Sequence, residues 1–192
     1  MALTTKLEAV NIMISVIGEA PVNTLGGTAV PVSVVQAEAV LDETSKAIQS
    51  EGWHFNTEHE YTLAPGSSTF RINLPINTIK VDVDPSIYTD IDPVQRGLYL
   101  YDRKNHTYLW TKEIKATITF ELDFTELPEQ FRHYITVKAA RIFANRFLGS
   151  REIEGFALRD EVEAKARAID SDSENADRTI FDNYSVLRVI DR

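Results

Sequence analysis

The sequence contains no cysteine. Disulfides, zinc fingers and thiol catalysis are thereby excluded, and a cysteine-free chain fits assembly in a reducing cytoplasm. No run of about 18 apolar residues occurs, so no transmembrane helix and no membrane insertion are expected. The opening residues Met-Ala-Leu-Thr-Thr-Lys-Leu-Glu do not read as a signal peptide, because an acid interrupts them and no cleavage site follows. Positive charge is scarce: 20 Lys and Arg stand against 29 Asp and Glu, for a net charge of −9. An acidic chain without a basic patch is not expected to hold nucleic acid tightly, although DNA can slide past such a surface. Catalytic signatures are missing as well. Gly26-Gly27 has no dinucleotide-binding or phosphate-loop context, and there is no Gly-x-Ser-x-Gly nucleophile elbow.

What is present fits a globular α+β protein. The 192 residues suit one domain, or one domain with an insertion. The most informative stretch runs from Leu127-Pro-Glu-Gln-Phe131 to Phe147-Leu-Gly149. Pro128 is suited to the first position of a helix, where a missing N–H costs nothing. Glu129 complements the helix dipole, and Gly149 provides a left-handed stop. Phe131, Ile135, Ala139 and Ile142 make one apolar face. Tyr134, Val137, Ala144, Phe147 and Leu148 make much of the other. A helix apolar nearly all round belongs inside a bundle, so 128–148 is the expected central helix.

Two helices precede it. In the first, over 4–18, Thr5 and Glu8 suit a capping box and Leu3, Leu7, Val10, Ile14 and Ile17 recur at helical spacing. Residues 19–31 read as a loop. The second starts near Ser33, with Gln36 as capping partner and Val34, Ala37, Leu41, Thr44 and Ile48 on one face, and ends before Gly52. From Trp53 to Glu126 the period becomes two, as in antiparallel sheets with one wet face. Strands are predicted around 57–63, 70–74 and 79–83. Segments 97–102 and 108–112 are predicted to form a hairpin about Arg103-Lys-Asn-His106. The last strand carries Ile114, Ala116, Ile118, Phe120, Leu122 and Phe124 on one face. After the central helix, 150–169 reads as a helix with Leu158, Val162, Ala166 and Ile169 as its stripe, and 170–178 as a linker or solvated helix end. The expected organisation is a helical bundle from 1–52 and 127–178, an inserted β module over 53–126, and a C-terminal segment over 179–192. Ile180, Phe181, Tyr184, Val186, Leu187, Val189 and Ile190 make that segment too apolar for a free tail, so it is expected to dock on its own subunit or a neighbour.

Candidate chemistry is thin. His54, His59, His106 and His133 form no helical pair, and surface or packed histidines are a better reading than a metal site. The acid pairs Glu58/Glu60, Asp82/Asp84 and Asp90/Asp92 have the composition of a glycoside hydrolase site, yet alternate acids on a strand are usually its wet face. Asp170-x-Asp172-x-Glu174 lacks the glycine and the final glutamate of a calcium loop. Arg132, Lys138, Arg141 and Arg146 lie on the central helix. They need acidic partners or must reach solvent: either internal ion pairs with acids of the second helix, or salt bridges to adjacent subunits. No catalytic residue, cofactor site or metal site is assigned.

Three stretches in order carry a resemblance. They are Ile17-Gly-Glu-Ala-Pro-Val-Asn-Thr-Leu25, then Glu51-Gly-Trp-His-Phe-Asn-Thr-Glu58, then Leu127-Pro-Glu-Gln-Phe131 leading to Ala139-Ala-Arg-Ile-Phe143 and Gly149-Ser150, with the acidic stretch ending Asn175-Ala-Asp177 completing the set. Together these resemble the tail tubular protein A family of short-tailed bacteriophages (podoviruses), the tail adaptor or gatekeeper proteins. The resemblance implies a helical bundle with a β insertion and a structural role in the virion tail, assembled in the host cytoplasm. It further implies a dodecameric ring between the portal and the tail nozzle (tail tubular protein B) that helps anchor tail fibres, with double-stranded DNA passing through its lumen. A glycan hydrolase using the paired acids, and a non-viral binding module, are the alternatives that residue chemistry leaves open.

Overall fold

A computed structural model describes residues 3–27, 30–149 and 151–175. The expected 179–192 segment lies outside the described residues. The protein is α+β, with four helices and two antiparallel sheets among the described residues. It divides into two compact units. One is built from the chain up to Ser45 and from Phe124 onward, and the other from Lys46–Asp123.

The first unit is helical. Helix α1, Lys6–Val16, begins with the expected capping box: the Thr5 hydroxyl accepts from the Glu8 N–H at 3.2 Å, and the Glu8 carboxylate accepts from the Thr5 N–H at 2.7 Å. The Thr5 N–H foremost, and then the Thr5 hydroxyl, which also donates to it, hold the Glu8 carboxyl below its ordinary pKa. Helix α2, Val32–Gln49, buries the expected Val34, Ala37, Leu41, Thr44 and Ile48. Its start differs from expectation. Ser33 lies inside the first turn and donates to the Glu19 carboxylate, while the Pro31 carbonyl takes the N–H groups of Val34 and Val35. Because the helix starts one residue earlier, the hydroxyl cannot cap it. The unit boundary falls within α2, after Ser45.

Helix α3 spans Glu129–Leu148 and stops at Gly149 in the left-handed conformation, φ 59°. Pro128 is the N-cap, at φ −59° and ψ 148°, rather than the first helical residue. Its extended ψ places it just outside the helix, and its carbonyl accepts from Phe131 and Arg132. Phe131, Tyr134, Ile135, Ala139, Ala140, Phe143 and Ala144 are buried along the helix, which accounts for its apolar circumference.

Helix α4, Arg151–Asn175, continues six residues past the expected end at Ile169. Its expected stripe is on the wrong side. Leu158, Val162 and Ile169 are 49%, 63% and 41% exposed, whereas Ala164, Ala168 and Asp172 are buried. The bulk of α3 explains this, since alanines let a helix approach closely where leucine and isoleucine would stand it off.

The second unit carries the β structure. A 3₁₀ turn at His54–Asn56 leads into β1, Thr57–Leu63, over the predicted range. Strands β2 (Thr78–Asp82) and β5 (Ile114–Phe120) complete a sheet ordered β1-β5-β2, antiparallel throughout. The register of β1 slips between Glu58 and Tyr61, with Glu60 at φ 56°. This bulge breaks the simple alternation and keeps Tyr61 and Leu63 on the buried face.

The expected hairpin is corrected. Its strands are β3 (Pro93–Arg96) and β4 (Tyr99–Asp102), turning at Gly97-Leu98 with Gly97 at φ 61°. A two-residue hairpin turn needs a positive φ, which glycine supplies without strain. Segment 108–112 does not form a strand; only an isolated bridge joins Asp102 to Thr107. The 70–74 segment is likewise no strand, but Asn73 bridges to Tyr99 and its backbone bonds to β4. The 103–106 loop is instead organised by Asp102, whose carboxylate accepts from the backbones of Asp92, Lys104 and Asn105 and from the Asn105 amide. Burial works to raise the Asp102 pKa, but those donors outweigh it and hold it below the usual range. The core of the unit joins Leu63, Ile72, Leu74, Leu100, Trp110, Ile114, Ala116, Ile118 and Phe120. Strand β5 ends at Phe120, and Phe124 begins a 3₁₀ turn rather than extending the strand.

Candidate interaction surfaces

The four basic residues of α3 have separate fates. Arg132 is 4% exposed. Its guanidinium donates to the carbonyls of Leu127 at 2.8 Å and Thr4 at 2.9 Å, and to that of Thr125. Its plane also lies near the Phe124 ring. One residue turns three loop carbonyls toward the start of α3, a task suited to a rigid fork with five N–H donors. Glu129 completes the arrangement by accepting from the backbone N–H of Thr4 at 2.8 Å and from its hydroxyl. The chain before α1 is therefore clasped onto α3 at both the N–H and the C=O of Thr4. Arg141 pairs with Glu161 of α4, both largely shielded. Arg146 pairs with Glu43 of α2 at 3.0 Å, both exposed; the hydrogen bond to Arg146, then its charge, lowers the Glu43 pKa. Lys138 is half-buried, with its ammonium 5.6 Å from the Tyr134 ring centre. Arg146 thus meets an acid of the second helix, while Arg132 uses carbonyls.

Beside Arg146 lies an open groove of about 550 Å³ between α2 and α3, lined by Gln36, Ala39, Val40, Phe143, Arg146 and Phe147. Phe147 is 48% exposed there, and Val32 and Val35 stand out on α2. Ile180, Phe181, Tyr184, Val186, Leu187, Val189 and Ile190 lie outside the described residues.

The paired acids of the second unit do not gather into a site. Glu60 meets Lys115 at 3.2 Å, Asp90 meets Lys112 at 3.4 Å and Asp92 meets Arg103 at 2.6 Å. Asp84 accepts from the hydroxyl and N–H of Ser86, in that order of effect, and is held below its ordinary pKa. Every displaced carboxylate among the described residues (Glu8, Glu43, Asp84, Asp102) is displaced downward. A general acid needs the opposite displacement. No group of three His, Asp or Glu among the described residues could hold a metal ion, and no described helix is long and apolar enough to cross a membrane.

Two further arrangements were not foreseen. Within the Glu51–Glu58 motif, Asn56 is 2% exposed. Its amide donates to the carbonyls of Gln49 and Phe120 at 2.9 Å each, and its oxygen accepts from the Trp53 N–H at 2.8 Å. The Gln49 side chain, also buried, exchanges two bonds with the Leu122 backbone. Asn56 and Gln49 thus fasten the end of α2 to the end of β5 within the unit. A polar residue after aromatics at a helix exit was the available signal.

The helical clasp and the Asn56 junction fall on two of the motifs that set the order Glu51–Glu58, then Leu127–Phe131. The tail tubular protein family matches residues 7–178, nearly the whole chain. The chain belongs to the tail tubular protein family. It is accordingly a structural component of a phage tail, working in an oligomeric tail assembly. No curated protein matches the chain. Residues in and beside the two motifs do structural work: Glu129, with Arg132 just after its motif, holds the start of the first helix in place, and Asn56 holds the end of β5 to the end of α2.

Proposed function

We propose that this tail tubular protein is an adaptor. It forms a ring, a dodecamer, between the portal of the capsid and the tail nozzle formed by tail tubular protein B, helps to anchor the tail fibres, and lets double-stranded DNA leave the head through its lumen. It acts by assembly and performs no catalysis. The observation that carries this reading is the family match over residues 7–178 together with the motif order of the podoviral adaptors. The net charge of −9 supports it, since a conduit must repel DNA rather than hold it. Arg132 is committed inside its own unit. Of the basic residues on α3, Lys138 and Arg146 keep enough exposure to reach a neighbouring subunit, and Arg146 does so at the rim of the α2–α3 groove. The apolar 179–192 segment, with Ile180, Phe181, Tyr184, Val186, Leu187, Val189 and Ile190, docks on an adjoining protein of the tail.

Omitting the chain during phage assembly tests the reading. Capsids with portals but without nozzles are the expected product, and supplying a chain ending at Arg178 should not restore joining. Complete tails formed without the chain would overturn the adaptor role. Full rescue by the shortened chain would overturn the docking role of 179–192.

A further inference from the structure

The β3–β4 hairpin has two unlike faces. Pairing sets Val94 opposite Tyr101 and Arg96 opposite Tyr99, so these four side chains share one face. Leu100 points the other way and is fully buried in the core, where the Trp110 indole donates to its carbonyl at 3.0 Å. On the first face the aromatic rings and guanidiniums form one cluster, its ring pairs edge-on or tilted. Tyr108 lies 4.7 Å from Tyr101 and 6.5 Å from Tyr99, ring centre to ring centre. Arg71 sits 5.7 Å from the centres of both Tyr99 and Tyr108, and Arg96 only 3.6 Å from that of Tyr101. The chain neighbours of these residues include exposed apolar side chains: Phe70, Leu98 and Leu109 are 55%, 45% and 58% exposed.

Neither guanidinium has an ion pair or a side-chain hydrogen bond among the described residues, in a chain carrying nine more acids than bases. A cation–π contact spends none of the guanidinium's N–H donors. Two forked cation sites are therefore held in place by tyrosines, with exposed apolar side chains as chain neighbours. Rigid Tyr and Arg side chains with a desolvating surround are the composition of interface hot spots. The chemistry that satisfies them is a carboxylate beside apolar side chains. A second copy of this chain offers such carboxylates; Glu58, exposed and without an ion pair among the described residues, is one. Arg71 and Arg96 are matched in sign to the acidic surface that every other copy presents.

We infer that the tyrosine–arginine face of the β3–β4 hairpin is a subunit interface, which docks on carboxylates of a neighbouring copy of this chain in the assembled tail. The inference rests on the tail reading and adds the surface that joins the copies. The test places the photo-crosslinking residue p-benzoylphenylalanine at Leu98, in the exposed turn, and irradiates assembled particles. The expected product is this chain linked to itself, at twice its mass and above, with crosslinked peptides that contain Asp or Glu. The double variant Arg71→Glu/Arg96→Glu should lower that yield at least tenfold, and the milder Arg71→Gln/Arg96→Gln should lower it in the same direction. Crosslinks only to another tail protein, only to DNA, or to nothing would overturn the interface. So would an undiminished yield in both double variants. Particles that contain no copy of the chain would show that the tail reading itself has failed, and the interface with it.

Discussion

Replacing Arg132 by alanine is expected to unfold the start of the helical unit at temperatures where the native chain is intact. The guanidinium is buried and satisfies three backbone carbonyls, those of Thr4, Thr125 and Leu127. Truncation leaves acceptors without donors in a site that water reaches poorly. An orphaned buried polar group costs roughly 1–3 kcal/mol. Partial relaxation of the Thr4 end recovers some of that, so the net loss is about 3–4 kcal/mol, a large share of the roughly 5–15 kcal/mol that holds a typical domain. Lysine should recover less than half of it, because one ammonium cannot span three carbonyls that a planar fork reaches. Arg146→Ala is the control. Its pair with Glu43 is exposed to water, and its removal should leave the unfolding midpoint within measurement error. Urea titrations of the three variants distinguish these outcomes, and equal losses for Arg132→Ala and Arg146→Ala would refute the clasp.

The second large effect is expected at Asn56. Its side chain makes three hydrogen bonds at 2.8–2.9 Å between the exit of α2 and the end of β5. Asn56→Ala takes the amide donor from the Phe120 carbonyl and the acceptor from the Trp53 N–H, and leaves the Gln49 carbonyl with the Gly52 N–H; the cost is about 3 kcal/mol after relaxation, which corresponds to a drop of roughly 6–12 °C in melting temperature for a chain of this size. Asn56→Asp should be worse than alanine at neutral pH. It keeps the acceptor for Trp53 but turns a negative oxygen toward two carbonyls. Lowering the pH until the new carboxyl is protonated should close much of the gap between the two variants. Thermal unfolding of both at pH 7 and pH 4 checks the order. An Asp variant as stable as wild type would mean that the amide donors do not matter.

The helices were legible where the signal was local. Thr5 with Glu8, the Gly149 stop and the Val34–Ala37–Leu41 face all depend on residues a few positions apart, and all stand in the structure. Errors arose where tertiary packing or register decided the outcome. The stripe of α4 looked buried because leucine, valine and isoleucine dominate it, yet the side facing α3 is alanine. The polar stretch 103–106 imitates a hairpin turn. The turn is Gly97-Leu98, and the polarity of 103–106 serves the Asp102 carboxylate instead. Pro93 disguised β3, although proline is admissible at the first residue of a strand. With that register missed, Tyr99, Tyr101 and Arg96 could not be seen as one face, and Arg71 and Tyr108 join them only through folding. The family was readable from motif order; the physical work of Glu129 and Asn56 in those motifs, and of Arg132 beside them, was not, because each acts on backbone groups distant in sequence.

The adaptor role is tested most directly by electron microscopy of this chain mixed with isolated portal rings from the same phage. The expected result is an added ring layer that follows the symmetry of the portal, with the β3–β4 hairpin of each copy against its neighbour. Portal rings that stay bare at saturating concentrations of the chain would contradict it.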